Sequence, residues 1–411
     1  MNILIIASYF PKPFNRVMGI WALQQAKAFK NIGIEPIVIS PTPYVPKIIA
    51  FNQKLRNYSN ISYMVEDDGI KIFYPKTLRY SQLNKIYDKF PALEAFPILM
   101  SINKLVDKII KEEKIDLLYC HHPLIEGYVG TILKRKYKLP LVVVEHSLTD
   151  INRALKNNLR RKYYKKVLDE CDIAIAVSSR VKREMEKFYY DKRSEKIKVV
   201  LNGAESYDVL NQAQALEEQS RDNKLNNVIK IISVGALTER KGHLYLIYAL
   251  KELMEKGINN FECNIIGDGP LREQLDRVTK KLNLEDRVKI LGQRPHNEVI
   301  QKMKSSDIFV LPSWDEPFGI VFIEAMQIGL PVIGTLNEGI SDIIRNRENG
   351  VLVEKKNYKE LAAAIEFLMK DSNARKTIAK NGYESVRQLT WENNVRKNME
   401  IFNYILNNVK R

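Results

Sequence analysis

Leu311-Pro-Ser-Trp-Asp-Glu-Pro-Phe-Gly-Ile-Val-Phe-Ile-Glu-Ala-Met-Gln-Ile-Gly-Leu-Pro-Val-Ile-Gly334 decides how the chain is read. Its lead-in, Ile308 to Leu311, reads as the end of a buried strand. Glu316, Pro317, Phe318 and Gly319 follow as a loop, Ile320 to Gln327 as a short helix, and Pro331 to Gly334 as a further strand. A strand that empties through a Gly/Pro loop into a helix aims unpaired backbone N–H groups and the positive end of the helix at one point. That point suits a phosphate. Glu316 and Glu324 lie eight positions apart across it, and carboxylates beside a phosphate repel it unless they hold something else. An ionised Glu only accepts hydrogen bonds, so its natural partners there are hydroxyl groups. An anionic middle with hydroxylated ends describes a sugar nucleotide, one Glu serving the sugar and the other the ribose. Pro317, Phe318 and Gly319 are poor choices for an ordinary exposed turn, which argues against an incidental pair of acids.

The run Glu316-Pro-Phe-Gly, continued by Glu324-Ala-Met and by Gly329-Leu-Pro-Val-Ile333, resembles the E-x7-E signature of the retaining family 4 glycosyltransferases. The resemblance implies an α/β protein of the GT-B fold: two facing Rossmann-like domains with a deep interdomain cleft. It also implies transfer of a hexosyl unit from a UDP- or GDP-sugar to a hydroxyl acceptor, carbohydrate or lipid-linked, in cell-surface glycan synthesis. No cofactor and no metal are expected, and the sequence carries no Asp-x-Asp metal motif. Glu316 then inherits a catalytic role, while Pro317, Phe318, Gly319, Ile320 and Glu324 inherit donor binding.

A length of 411 residues is too much for one core and suits two domains. The expected division is 1–204 with a C-terminal crossover helix at about 391–411, a polar linker at 205–227, and 228–390. No apolar run approaches the ~20 residues that span a bilayer. Met1-Asn-Ile-Leu-Ile-Ile-Ala-Ser8 lacks a basic flank and reads as a first strand, so the expected location is cytoplasmic, with peripheral attachment to the inner face of the cell membrane left open. Cys120, Cys171 and Cys263 are far apart and set in apolar surroundings, as buried free thiols are. Residues 1–200 carry +15 of the chain's +16, which leaves +1 for residues 201–411. Such a field fits an anionic membrane surface or a phosphorylated acceptor; nucleic acid is disfavoured because no binding module accompanies it.

In the first half, Ile3 to Ala7, a loop through Gly19, a helix at Ile20 to Asn31 and a strand at Ile37 to Ser40 give the Rossmann order. Gly19 sits where the family's backbone approaches the donor diphosphate. Residues 42–110 mix Pro, aromatics, aliphatics and Lys, and a helix with Lys on its rim there lies either on a membrane or on the outside of the sheet. His122, in Cys120-His-His-Pro, is an acceptor-side candidate and equally a plain strand-end histidine. Leu141-Val-Val-Val-Glu-His146-Ser ends at the carboxyl edge of the sheet, where open α/β sheets place ligands. It resembles the family's strand whose histidine contacts the transferred sugar, so His146 inherits that role. The basic run from Asn152 to Lys166 includes Arg160 and Arg161, acceptor-side or lipid-facing candidates, against the plainer reading of a solvated helix face.

In the second half, Gly235-Ala-Leu-Thr-Glu-Arg-Lys-Gly242 follows a strand, and Gly235, Arg240 and Lys241 suit a diphosphate. Relatives show Gly-Arg-Leu followed by Lys-Gly; Ala236 replaces that arginine here, so Lys241 carries over and Arg240 stands in for the missing charge. Gly267, in a tight turn, and Arg294, placed by the nucleobase in relatives, complete the donor set. Two other classes compete: a nucleotide-sugar epimerase on the same fold, and a non-enzymatic protein that binds anionic ligands.

Overall fold

The computed structural model describes residues 1–78, 86–87, 90–189, 195–205 and 228–409. Two compact units divide the chain: Met1–Leu201 with Trp391–Arg411, and Asn202–Thr390. Of the linker expected at 205–227, only Glu205 lies among the described residues.

In the first unit the strands are β1 (Asn2–Ile6), β2 (Glu35–Ile39), β3 (Thr42–Pro43), β4 (Met64–Asp67), β5 (Ile70–Phe73), β6 (Lys76–Thr77), β7 (Leu117–His121), β8 (Leu141–Glu145), β9 (Ile173–Ala176) and β10 (Ile197–Val199). Eight of them form one sheet in the order β10-β9-β8-β7-β1-β2-β5-β4, and β3 with β6 makes a separate two-stranded ribbon. β7, β8 and β9, largely apolar, are buried throughout, as strands covered on both faces of a parallel sheet must be. Only β4 runs antiparallel, at the edge, with its residues alternating in exposure. The helices used below are α1 (Ile20–Asn31), α2 (Pro91–Glu113), α3 (Leu148–Lys156) and α4 (Asn158–Glu170). Within 42–110 the described residues form the ribbon, the β4–β5 hairpin, short helices and α2.

The second unit holds β11 (Ile229–Val234), β12 (Phe261–Ile266), β13 (Val288–Ile290), β14 (Ile308–Val310), β15 (Val332–Thr335) and β16 (Val351–Val353), with helices α5 (His243–Glu255), α6 (His296–Lys304) and α7 (Ile320–Gln327). All its strands are parallel, ordered β13-β12-β11-β14-β15-β16. In both sheets the winding reverses beside the first strand, between β1 and β7 and between β11 and β14. The loops leaving the two strands at such a switch point diverge and leave a crevice at the carboxyl edge.

The last helix, α8 (Trp391–Val409), belongs to the first unit although it follows the second in sequence. Phe402 stacks on Phe29 of α1 at 5.7 Å, and the Gln25 amide donates to Asn394 Oδ1 at 2.7 Å. Asn394 in turn donates to the Leu201 carbonyl at 2.7 Å, and Trp391 Nε1 donates to Gln24 Oε1 at 2.7 Å. Buried polar groups cost little only while paired. Asn394→Ala strands both the Gln25 amide and the Leu201 carbonyl, and urea unfolding of the first unit should register a loss of about 2–3 kcal/mol.

Candidate active site

In the second unit the crevice between β11 and β14 is floored by charge. The turn after β11 carries Arg240 and Lys241, and the loop after β14 carries Glu316. Lys241 Nζ reaches Glu316 Oε2 at 2.5 Å, and Arg240 Nη1 lies 3.8 Å from the same oxygen. Glu316 is buried. Burial alone pushes its carboxyl up, but the charge and hydrogen bond of Lys241, joined by Arg240, outweigh that and hold it below its ordinary value. The loop is clamped from β15's side: Glu316 N donates to Glu338 Oε2 at 2.9 Å, and Gly339 N donates to the Glu316 carbonyl at 3.0 Å. Neither Glu338 nor Gly339 was singled out in the sequence; a buried acid just past the carboxyl end of a strand was the available signal.

Gly319 sits at φ +86° and opens α7 without a capping side chain. A Cβ there would stand 2.8 Å from Phe322, which itself packs edge-on against Phe309 of β14. Only glycine makes this turn, and the first amides of α7 keep donors for a ligand. Pro317, Phe318 and Ile320 complete the loop, with Phe318 buried beneath it. Glu324, in the middle of α7, is largely buried and lies 3.6 Å from His296 Nε2 at the start of α6; Glu205 approaches the same nitrogen at 4.0 Å. Burial raises the Glu324 carboxyl against the pull of His296. Gly235 closes β11, its amide donating to the Ile266 carbonyl at 3.0 Å, and Gly267 follows β12 directly. Arg294 is exposed in the loop between β13 and α6.

The first unit has its own polar edge. His146, just past β8, accepts or donates across 3.0 Å to His121 Nδ1, and the Trp21 ring stacks on it at 3.9 Å. Burial lowers both imidazoles, His121 to about 3 and His146 well below the usual range, so this pair is neutral. His122 differs. At φ +70°, a rare setting for a side chain of its size, it lies 3.6 Å from Glu145 and 3.5 Å from Asp150. Burial pulls its pKa down, yet the nearby carboxylates of Glu145, Asp150 and Glu126 overcome this and lift it to about 9. Glu145 is pushed up by burial, while the Tyr164 hydroxyl donates to one of its oxygens at 2.7 Å and the Ser147 amide to the other at 2.8 Å. Among the described residues His122, Glu145 and Asp150 are the one group with metal-ligand reach; a cation bound there would have to displace the imidazolium proton.

Gly19 stands in the left-handed region as the first residue before α1, and a Cβ on it would meet the Tyr9 carbonyl at 2.5 Å. Across the β1/β7 switch point the Ser8 amide donates to buried Glu126 Oε1 at 3.2 Å. Of the basic run at 152–166, Arg160 is not on a solvated face: it is buried and 3.6 Å from Glu94 of α2. Lys165 pairs with Asp169 at 2.8 Å, and Arg161 is half-buried. All three cysteines are buried and free.

Two sequence profiles divide the chain much as the two units do: Glycosyltransferase Family 4 matches residues 18–206, and Glycosyl transferases group 1 matches residues 214–385. The chain is a family 4 glycosyltransferase. A glycosyltransferase of Methanocaldococcus jannaschii is 29% identical over 313 residues, 75% of this chain and 82% of the relative. Sucrose-phosphate synthase of Thermosynechococcus elongatus superposes with a TM-score of 0.78 at 20% identity, covering 98% of this chain and 99% of that one. Anabaena HepE in complex with UDP-glucose superposes with a TM-score of 0.71 at 20% identity, covering 98% and 100%. The glycosyltransferase has the GT-B fold, built from two Rossmann-like units.

The Lys241–Glu316 pair gives a test of the site's electrostatics. A carboxyl held below its unfolded value stabilises the fold above that value and loses the contribution as pH falls through the folded one. In Lys241→Ala the buried Glu316 keeps only the more distant Arg240, and removing one member of a buried pair costs up to roughly 3–5 kcal/mol. The loss in thermal or urea unfolding should be full at pH 7, shrink toward pH ~5 as Glu316 takes up a proton, and be largely restored in the Lys241→Ala, Glu316→Gln double variant.

Proposed function

We propose that this glycosyltransferase moves a hexosyl unit from a UDP- or GDP-sugar to a hydroxyl of a lipid-linked or polysaccharide acceptor, with retention of configuration and without a metal. The observation that carries the reading is the arrangement around Gly319: two cations and a free helix N-terminus at one switch point, flanked by two buried acids. Glu324 is the more telling acid. Its carboxyl is largely enclosed, pushed up by burial and 3.6 Å from His296, and it is suited to accept from vicinal hydroxyls such as those of a ribose. A solved relative, Anabaena HepE, holds UDP-glucose, which supports a nucleotide sugar as donor.

Departure of the nucleotide adds a negative charge to the terminal phosphate, and catalysis consists in stabilising that charge where it develops. Lys241 and Arg240 would turn from Glu316 toward the diphosphate, together with the first amides of α7. No cation beyond these is required. Glu316, relieved of part of its partner, would accept from the sugar's hydroxyls and steady positive charge at the anomeric carbon. His146 would contact the transferred sugar as a neutral imidazole, held by His121 and the Trp21 face. Gly235, Gly267 and Arg294 would line the diphosphate and base, Gly19 would let backbone approach the donor, and His122 with Arg161 would serve the acceptor side. Arg160 serves α2 through Glu94 instead. A cytoplasmic enzyme, peripheral on the inner membrane face, fits this reading.

Two measurements test it. Glu316→Gln should cut turnover by about 10²-fold or more while nucleotide affinity stays within a few-fold; unaltered turnover removes Glu316 from the mechanism. UDP or GDP should raise the melting temperature, because a ligand that binds only the folded state stabilises it. Loss of donor without any acceptor present would instead favour an epimerase.

A further inference from the structure

Two imidazoles and an indole meet at the carboxyl edge of the first unit's sheet. His121 ends β7, His146 follows β8, and Trp21 stands in the first turn of α1, two residues after Gly19. The two imidazole planes lie within 6° of each other, with His121 Nδ1 3.0 Å from His146 Nε2. The indole lies over both, its ring centre 3.9 Å from that of His146 and 5.2 Å from that of His121. Gly19 fixes where the indole sits, because α1 starts against the Tyr9 carbonyl, which any Cβ at Gly19 would strike.

A hydrogen bond between two neutral imidazoles contains one proton, and the ring that owns it decides what the other ring can do. If His146 donated from Nε2, His121 would have to carry its own proton on Nε2. That nitrogen belongs to a fully buried residue and has no hydrogen-bond partner. A buried N–H with nothing to donate to loses a whole hydrogen bond, and such orphans are rare. With the shared proton on His121 Nδ1, only a bare ring nitrogen is left over in the core, which is the smaller penalty. Burial keeps both rings neutral, so there is no third arrangement.

We infer that His121 is a positioning residue for His146: its Nδ1–H donates to His146 Nε2, and His146 is thereby held with its own proton on Nδ1, under the cover of Trp21. His146 Nδ1 is the ring nitrogen outside this bond, in a residue that is only partly buried. It offers a donor, so the partner it selects is an oxygen lone pair, such as that of a sugar hydroxyl. Glu316 can only accept, and the two roles are complementary. Trp21 shields the imidazole pair from water, and its indole N–H, a donor only, supplies no acceptor that would compete for either proton. On the reading that His146 contacts the transferred sugar, from which this follows, Nδ1 is the atom that does so and His121 is the residue that sets its proton.

The test is the long-range proton–nitrogen NMR spectrum of the full chain carrying isotope-labelled histidine, whose five imidazoles are assigned by single substitutions. In the wild type, His121 and His146 should each hold their proton on Nδ1, and a nitrogen–nitrogen coupling should join His121 Nδ1 to His146 Nε2. His121→Phe should release His146 to a mixture in which the Nε2–H form is populated. Trp21→Ala should weaken the coupling as water enters, and Trp21→Phe should keep it. A wild-type His146 protonated on Nε2, or a His146 tautomer that His121→Phe leaves unchanged, overturns the inference. Should His121→Phe fail to fold, the wild-type spectrum decides alone. Melting the wild type with and without UDP keeps the two readings apart: the expected tautomers without any nucleotide stabilisation sink the donor reading alone, and the reverse sinks the positioning role alone.

Discussion

The buried contact between Lys241 and Glu316 is the constraint on which the second unit's chemistry depends. Two parallel strands, β11 and β14, deliver these side chains from neighbouring positions at the carboxyl edge, 75 residues apart in sequence. Desolvating both charges is tolerable only because they meet each other. The loop from Leu311 to Gly319 cannot drift, because Glu338 and Gly339 hold Glu316 by its backbone while Lys241 holds it by its side chain. A site prepared in this way spends little on reorganisation when a diphosphate arrives and competes for the same cations.

The first unit solves a similar problem with an acid of its own. Glu126 spans the β1/β7 switch point by accepting from Ser8, and beyond it three histidines share one edge under different electrical conditions. His121 and His146 have aromatic and aliphatic neighbours and stay neutral, whereas His122, one residue on from His121, is turned by its positive φ toward two carboxylates and takes a proton. Identical side chains thus differ in charge because their surroundings differ: burial in one case, carboxylates 3.5 and 3.6 Å away in the other.

Much of this was legible from residues near one another in sequence. The aliphatic runs gave the strands, Gly319 after Glu316 gave the loop-to-helix turn, and the Arg240-Lys241 pair gave the cationic side of the crevice. What escaped notice depends on distant partners. Trp21 on His146, Tyr164 on Glu145 and Glu338 on Glu316 join residues separated by 19 positions or more, and no local pattern announces them. Tyr164, on α4 and 19 residues from Glu145 at the end of β8, is the nearest of these. Arg160 shows the opposite error: its basic neighbours advertise a solvated face, while Glu94, 66 positions earlier, draws it inward. Gly339 looks unremarkable in sequence, yet its backbone lies against Pro317.

Helix α8 carries an implication for how the chain comes to be folded. The bond between Gln25 and Asn394 closes a separation of 369 residues, and Phe29 waits equally long for Phe402. At synthesis rates of roughly 5–20 residues per second, the first Rossmann-like unit stands unfinished on the ribosome for on the order of tens of seconds, with the groove meant for α8 uncovered. The second unit is one continuous segment, Asn202–Thr390, and is free to fold in that interval. The N-terminal unit is thereby completed only after the whole of the second unit has been made.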